Sequence, residues 1–451
     1  MKKIFNFILS LFLVLSFQSK SFSEEFNQKD FKFPEGFLWG TATSAYQVEG
    51  GIVNDWSKGG LDAGKASNHA ELYEEDFEKA KKLGNNAYRM SIEWAKIEPE
   101  PDKFSKEAVT FYKNIFKSLK KHGLKPMVTI HHFTNPIWLE QFGGWDNEKV
   151  ITRFTKYVTF LAKTFGEDVD LWLTFNEPNV YAFKAYATGD WPPFKKDRQS
   201  TLYVMNNLLK AHAEAYHILH KYDREDADGD NISCQVGFAQ HIAILEPYWA
   251  LNPLDNIMTY FQSKVFNQGF WDAVLTGKFD LFVPGLKNVN APFNKKLKGS
   301  MDFVGFNYYT RWFIKANGEN VINEKGELTD MKWEIYPEGL KKSIEMADIY
   351  AKELKIPIYI TECGINDPSD KKRPKYIVTH VNKTLEAIKN GANVKGFMYW
   401  SLMDNFELAD GFGPQFGLFT IDRKMRYSAE VYKEIADSNA ITKNLYDKYL
   451  K

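Results

Sequence analysis

The 451-residue sequence contains little cysteine, no excess of charge of either sign and only one long apolar run. Its two cysteines, Cys234 and Cys363, are too few for a disulfide framework and lack the spacing of a metal site. Lysine plus arginine and aspartate plus glutamate each number 58, so the formal net charge is zero. Because proteins that bind nucleic acid normally carry a basic surplus to meet phosphates, this balance predicts no nucleic-acid partner.

The one long apolar run lies at the N-terminus. Residues 1–3 include two lysines, residues 4–17 are almost wholly apolar, and serines at 21 and 23 supply small side chains. This order is typical of a secretory signal peptide over residues 1–23, cleaved after about Ser23. The run is short for a membrane span of ~20 residues, which disfavours the alternative of an uncleaved anchor. We expect a protein exported to the periplasm or the extracellular space, with no membrane attachment after cleavage.

Aromatic residues, in contrast, are abundant: 36 Phe, 23 Tyr and 12 Trp make up 16% of the chain. Most such rings fill protein cores, but rings with polar edges also suit the recognition of sugars and nucleobases. With 44% hydrophobic and 26% charged residues, the composition is that of a globular protein with a large core, which excludes a disordered chain.

From residue 30 onward, short apolar or β-branched segments alternate with long amphipathic helical stretches. The strand candidates are residues 37–45, 86–93, 126–133, 171–176, 235–244, 302–309, 357–361 and 394–401. Because helices separate nearly all of them, they predict a single (β/α)8 TIM barrel with inserted loops at its C-terminal face. An open doubly wound sheet is the alternative, but no glycine-rich phosphate-binding sequence follows the first strand. No linker divides the chain, so residues 24–451 are predicted to be one α/β domain.

Polar side chains follow these strand candidates at their C-terminal ends, where an α/β barrel carries its chemistry. Seven of the eight strands lead to such a group, and a rim that collects so many indicates a functional site. The groups are Gln47 and Glu49, Arg89 and Glu93, His131 and His132, Asn176 and Glu177, Asn307 with Tyr308 and Tyr309, Glu362, and Trp400 with Asp404 and Glu407.

Two of these groups, Glu177 and Glu362, end the fourth and seventh strands and lie across the mouth of the predicted barrel. Hydrolysis of a glycosidic bond needs one protonated and one ionised carboxyl group flanking the anomeric carbon. When the product keeps its configuration, these groups are only ~5 Å apart, a separation that facing strand ends supply. The pair therefore favours a glycosidase over two unrelated surface acids.

Metal or cofactor chemistry is not indicated. His131 and His132 are adjacent on a strand, so their side chains point to opposite faces and cannot share one ion. The acidic segment 226–230 lacks the glycine and the final glutamate of a calcium-binding loop and is interpreted as a polar turn. We predict a site with neither metal nor cofactor.

Five segments in chain order resemble the signature sequences of glycoside hydrolase family 1. They read FLWGTATSAYQVEG, YRMSIEW, TFNEP, ITECG and WSLMDNFE, and the resemblance runs from about residue 31 to 435. Five motifs in one order are far more specific than any single motif. The resemblance implies a retaining β-glycosidase that acts on a small carbohydrate by double displacement, and it leaves the oligomeric state open.

Roles are implied position by position. Glu177 is implied to be the general acid/base, protonated at rest beside Glu362, which is implied to be the ionised nucleophile. Arg89 and Tyr309 are implied to flank Glu362 and keep it ionised. The residues implied to bind the sugar are Gln47, His132, Asn176, Asn307, Trp400 and Glu407.

Two positions depart from the family pattern. Cys363 stands where Asn is common, and Leu408 stands where Trp is usual, which puts the fine sugar specificity in doubt. Release of terminal β-D-glucosyl residues is the leading expectation, and a β-galactosidase, a β-fucosidase or a broad exo-β-glycosidase remains open. The alternative of a different class is a silent sugar- or protein-binding homologue, which the presence of both Glu177 and Glu362 disfavours.

Overall fold

The computed structural model describes residues 26–289 and 291–451, so the predicted signal peptide lies outside the described residues. Eight parallel strands close into a barrel in the order β1-β2-β3-β4-β5-β6-β8-β9, with β9 paired back onto β1. This closure confirms the predicted (β/α)8 fold. The strands are β1 Leu38–Ala42, β2 Ala87–Ser91, β3 Lys125–His131, β4 Leu171–Asn176, β5 Gln235–Pro247, β6 Val304–Ile314, the short antiparallel β7 Asn320–Val321, β8 Ile358–Cys363 and β9 Val394–Trp400.

Helices surround the barrel and fill the connections between strands. They are α1 Ala45–Val48, α2 Asp55–Lys58, α3 His69–Lys82, α4 Trp94–Ile97, α5 Lys106–Lys121, α6 Lys149–Phe165, α7 Pro178–Ala182, α8 Arg198–Tyr222, α9 Pro253–Ser263, α10 Gly269–Thr276, α11 Pro337–Leu354, α12 Arg373–Lys389, α13 Tyr427–Ser438 and α14 Lys443–Tyr449. Across the two described ranges, no helix combines the length and apolar character needed to cross a bilayer.

Helix α5 shows how the sequence specifies these outer elements. The Ser105 side chain accepts a hydrogen bond of 3.1 Å from the backbone N–H of Ala108, which caps the helix at its start. Tyr112, Ile115 and Leu119 recur at spacings of three and four and are buried, so one stripe of the helix packs onto the barrel. Gly123 follows the helix with a φ of 63°, a left-handed conformation that glycine adopts without strain.

The inside of the barrel is packed separately from the core between strands and helices. Its buried members come from all eight strands and the loop after β9: Ala42, Ala87, Met127, Leu171, Leu173, Ala239, Phe303, Tyr309, Tyr359, Met398, Trp400 and Phe416. A Cβ atom at Gly40 on β1 would overlap the sulfur of Met398. Glycine at this position therefore leaves room for the methionine to fill the centre.

Strands β5 and β6 are longer than the sequence predicts. Their pairing continues beyond the barrel through Glu246 opposite Phe313 and Pro247 opposite Ile314, so they leave it as a two-stranded ribbon. Each strand satisfies the backbone hydrogen bonds of the other, so the ribbon persists where the remaining strands end. The predicted first strand, in contrast, is shorter than expected, because Ala45–Val48 turns into α1.

Candidate active site

The polar residues at the C-terminal end of the barrel depend on two irregularities in the strand register. The register of β4 against β5 shifts between Leu173 and Asn176, and that of β8 against β9 shifts between Ile360 and Cys363. Because side chains alternate along a strand, Asn176, three residues after the inward Leu173, would otherwise point outward. Each bulge reverses that alternation and turns Asn176 or Glu362 into the barrel.

Glu362 is buried and is held by one cation and one hydroxyl group. The Arg89 guanidinium donates from Nη1 to Oε1, and the Tyr309 hydroxyl donates to Oε2 at 2.6 Å. Arg89 also donates to the carbonyl oxygen of Thr361 at 3.0 Å, which ties the guanidinium to the bulged strand. Both carboxylate oxygens therefore point at donors that favour the charged form.

Glu177 is also buried, directly before α7, with its backbone in the left-handed region at φ 42°. Its Oε1 accepts a hydrogen bond of 2.8 Å from Asn307 Nδ2 and lies 2.9 Å from Nδ1 of His241. The backbone N–H of Glu177 donates to the Ala239 carbonyl at 2.7 Å. Residues from β5 and β6 thus fix the orientation of this carboxyl group.

A continuous chain of hydrogen bonds joins the two carboxyl groups. Arg89 Nη2 donates to Asn176 Oδ1 at 2.6 Å, and Asn307 Nδ2 donates to the same oxygen at 3.1 Å. Since Arg89 also binds Glu362 and Asn307 also binds Glu177, the path crosses the barrel mouth without interruption. This network places both acids in one rigid frame.

A second group of side chains lies around Glu407. Its Oε1 accepts from the Trp400 indole N–H at 3.2 Å, and its Oε2 lies 3.5 Å from Gln47 Nε2. His132 connects this group to the carboxyl pair, because its ring stacks against Trp400 at 6.2 Å and its Nε2 accepts from Asn176 Nδ2 at 3.2 Å. All ten predicted site residues are therefore linked by hydrogen bonds or ring contacts.

The two adjacent histidines separate as alternation predicts. His131 packs its ring against Trp145, Phe175 and Tyr181 and contacts Asn135, away from the carboxyl pair. His132 faces the site, and its buried Nδ1 has no partner among the described residues. Because Nε2 accepts from Asn176, the proton of the neutral ring lies on Nδ1.

A family model for glycosyl hydrolase family 1 matches residues 29–441, almost the whole described chain. The chain belongs to glycosyl hydrolase family 1. A β-galactosidase of Pyrococcus woesei is 32% identical over 93% of this chain and 100% of its own length. β-Glucosidase A of Acetivibrio thermocellus is 32% identical, with 90% of this chain and 98% of its own covered. The solved β-glycosidase of Pyrococcus horikoshii superimposes with a TM-score of 0.84 at 36% identity, covering 93% and 98%.

The electrostatics of the two carboxyl groups in this family 1 glycosidase depend on burial and on their close partners. Burial raises the pKa of Glu362 to about 7, with Arg89 opposing the rise and the charge of Glu177 adding to it. Burial also acts to raise the pKa of Glu177, and the contacts with His241 and Asn307 act against that rise. The expectation that Glu177 is protonated at rest took no account of His241, and it stays a prediction.

His241, which contacts Glu177 directly, was not selected from the sequence. It lies on β5, the one strand to which no polar rim residue was assigned. The available signal was its place six residues into an apolar strand candidate, where the neighbouring strands also turn polar. Thr361 belongs to the ITECG segment but was given no role; its hydroxyl donates to Asn307 Oδ1 at 2.6 Å and orients the amide toward Glu177.

The acidic segment after α8 lies apart from this site. Carboxyl oxygens of Asp170, Asp226 and Asp228 come within 4.8 Å of one another, close enough to hold an ion. Lys125 Nζ, however, lies 2.5 Å from Asp228 and 3.1 Å from Asp230. A lysine already supplies positive charge there, which agrees with the interpretation of the segment as a polar turn.

Proposed function

We propose that this glycosidase removes terminal β-D-glucosyl residues from the non-reducing ends of oligosaccharides or of aryl and alkyl glycosides. Glu362 is the nucleophile and Glu177 the general acid/base of a double displacement. The observation that carries this assignment is the contrast between their contacts. Glu362 is held by a guanidinium and a phenol, whereas Glu177 lies against a histidine and an amide that serve either protonation state.

In the first step a carboxylate oxygen of Glu362 attacks the anomeric carbon, and the bond to the glycosidic oxygen breaks. Glu177 gives its proton to that departing oxygen, so the aglycone leaves as an alcohol. In the second step Glu177 takes a proton from water, the water oxygen attacks the anomeric carbon, and the ester to Glu362 breaks with its electron pair returning to the carboxylate. Two inversions leave the configuration unchanged.

The second group of side chains, around Glu407, forms the binding site for the sugar. Trp400 offers a ring face beside Glu407, and Gln47 lies within 3.5 Å of the same carboxyl group. Burial raises the pKa of Glu407 to about 8, and Glu362 adds to the rise, while the Trp400 N–H opposes it. Glu407 can therefore donate to one sugar hydroxyl and accept from another at neutral pH.

Azide rescue of two matched variants tests the assignment. In Glu362→Ala, azide enters from the side of the missing nucleophile and should give the α-glycosyl azide from an activated aryl glucoside. In Glu177→Ala, azide should attack the glycosyl-enzyme and give the β-glycosyl azide. Glu353→Ala, at an exposed position on α11, is the control and should behave as the parent. The same anomer from both active-site variants would overturn the proposal.

Leaving-group dependence provides a second test of Glu177. General acid catalysis contributes ~10²- to 10⁴-fold, and only poor leaving groups need it. Glu177→Ala should therefore slow the cleavage of phenyl β-glucoside far more than that of dinitrophenyl β-glucoside. Equal losses of kcat/KM for the two substrates would remove Glu177 from the acid role.

Activity on β-galactosides or β-fucosides is a second candidate, and Leu408 favours it. Leu408 opens a short 3₁₀ turn, Leu408–Asp410, directly after Glu407 and is buried there. A leucine offers neither an N–H donor nor a ring face, in contrast to the tryptophan usual at this position. Selection between sugar epimers at this edge of the site should therefore be loose, which a panel of nitrophenyl β-glycosides measures directly.

Export is proposed from the N-terminal sequence alone. Residues 1–23 have the basic start, apolar run and small residues of a signal peptide. We expect the mature protein in the periplasm or the medium, beginning near residue 24. Cell fractionation with N-terminal sequencing tests this, and an intact N-terminus in the membrane fraction would show an anchor instead.

A further inference from the structure

We propose that His241 is a positioning residue for Glu177, which orients its carboxyl group and sets the pH range in which it holds its proton. The proposal rests on the acid/base role assigned to Glu177 above. It adds a residue from β5, the strand that sequence reasoning left without a part in the site.

Two aromatic rings and two backbone hydrogen bonds hold His241 in place. It stacks against Tyr309 at 6.0 Å with 16° between the ring planes, and meets Phe266 edge-on at 5.8 Å. Asn179, two residues after Glu177, donates to the His241 carbonyl at 2.9 Å and accepts from its N–H at 3.3 Å. A ring held this way presents Nδ1 to Glu177 in one orientation.

The contact between His241 and Glu177 can form with either the ionised or the protonated carboxyl group. When Glu177 is ionised, Nδ1–H donates to Oε1; when Glu177 is protonated, its O–H can donate to an unprotonated Nδ1. The second ring nitrogen, Nε2, makes no hydrogen bond among the residues that the structure describes, so it can carry the proton in that second tautomer. The same geometry therefore holds Glu177 in place before and after it gives up its proton.

The ring also connects the environments of the two acids. Tyr309, against which His241 stacks, donates its hydroxyl to Glu362. The ionisable groups around His241 are Glu177 on one side, Tyr309 on the other, and Arg89 and Glu362 one contact further away. Among these, Glu177 alone is bound directly by His241, so loss of the imidazole should act first on that carboxyl group.

Two variants distinguish the effect of the Nδ1 hydrogen-bond donor from the effect of the aromatic ring of His241. His241→Phe keeps a ring between Tyr309 and Phe266 but removes the donor to Glu177. His241→Asn removes the ring, but its amide nitrogen takes nearly the place of Nδ1 and can donate. Loss of a hydrogen bond to a carboxylate should raise the pKa of Glu177 by about one to two units. The basic limb of the pH profile of kcat/KM reports loss of the Glu177 proton. It should move to higher pH by that amount in His241→Phe, and in His241→Asn it should lie close to its position in the parent enzyme.

The measurement is the pH profile of kcat/KM for phenyl β-glucoside, whose leaving group needs protonation, with thermal unfolding of each variant as the folding control. A basic limb that stays in place in His241→Phe, or that moves equally in both variants, would overturn the proposal. Failure of the Glu177 assignment itself is recognised separately, because the azide products of Glu177→Ala and Glu362→Ala would then be wrong. Dinitrophenyl β-glucoside, which needs no acid, should show no such limb shift in His241→Phe.

Discussion

The same strands form the N-terminal (lower) half and the C-terminal (upper) half of the barrel interior, but the two halves carry different kinds of side chain. Toward the N-terminal ends, Met127, Leu171 and Phe303 are fully buried and apolar. A few residues further along the same strands, Thr129, Asn176 and Asn307 are equally buried but polar, and they surround Arg89 and two carboxyl groups. The two halves therefore differ not in how deeply their side chains are buried but in the hydrogen-bond partners that those side chains have.

The difference shows how stability and chemistry are divided in this fold. Apolar burial in the lower half stabilises at roughly 25 cal/mol per Å² and needs no specific partner. In the upper half, Arg89 forms an ion pair with Glu362, and the carboxyl groups of Glu177 and Glu407 are buried as well, so each charge depends on its neighbours. Such a site is arranged for reaction at some cost in stability.

Among substitutions that distinguish the two halves, Glu362→Gln should have the largest effect on activity. The amide cannot act as nucleophile, so kcat/KM should fall on the order of 10⁴-fold or more. Because burial raises the pKa of Glu362 to about 7, its charged form is disfavoured in the folded protein, so replacement by a neutral amide should leave Tm at pH 7 the same or raise it. Activity assays and thermal unfolding of one preparation measure both quantities. A marked fall in Tm would mean that the upper half contributes to stability as the lower half does.

Leu171→Ala is the converse substitution in the lower half. Leu171 begins β4 and is fully buried, so truncation should cost about 2–5 kcal/mol of unfolding free energy. The folded fraction should keep kcat within a few-fold of the parent, because Leu171 lies five residues before Asn176. Urea unfolding and assays at low temperature measure the two effects. A large loss of kcat with little loss of stability would contradict the division of the interior.

Tyr309→Phe probes the electrostatics of the upper half. The hydroxyl donates to ionised Glu362, so its removal should raise the pKa of Glu362 above its value of about 7, by about one unit. Activity needs ionised Glu362 and is lost as pH falls through that pKa. The acid limb of kcat/KM should therefore move to higher pH. Met301→Leu, a buried change outside this network, is the control; a limb that moves in both variants would show a general effect of packing.

Leu408→Trp should give the smallest effect. A restored indole N–H and ring face should increase the ratio of glucoside to galactoside kcat/KM, by about 10-fold or less for a single contact. The ratio is measured in the parent and the variant with nitrophenyl glycosides, and Tm confirms that the larger side chain fits. A parent already strictly selective for glucosides would show that another group supplies the missing donor.

Much of the fold and of the site could be predicted because the relevant signals are local. Each strand of the barrel is a short apolar run followed by a polar residue, and the five signature segments identify the family by their residues alone. Seven of the ten site residues lie in these segments, and His132, Asn307 and Tyr309 lie at the ends of other strand candidates. The contact between His241 and Glu177 could not be predicted from local signals, because 64 residues separate the two and the contact forms only once β4 and β5 pair.

The sequence by itself determined the eight strands, the order of their polar ends and the residues available for chemistry, because side-chain type and spacing act over a few positions. Tertiary structure alone decided which way those side chains point and which charges they meet. The bulges in β4 and β8 reverse the alternation at Asn176 and Glu362, against the two-residue period that a strand sequence implies. The pKa values of the carboxyl pair follow from that packing, because burial and close partners set the cost of each charge.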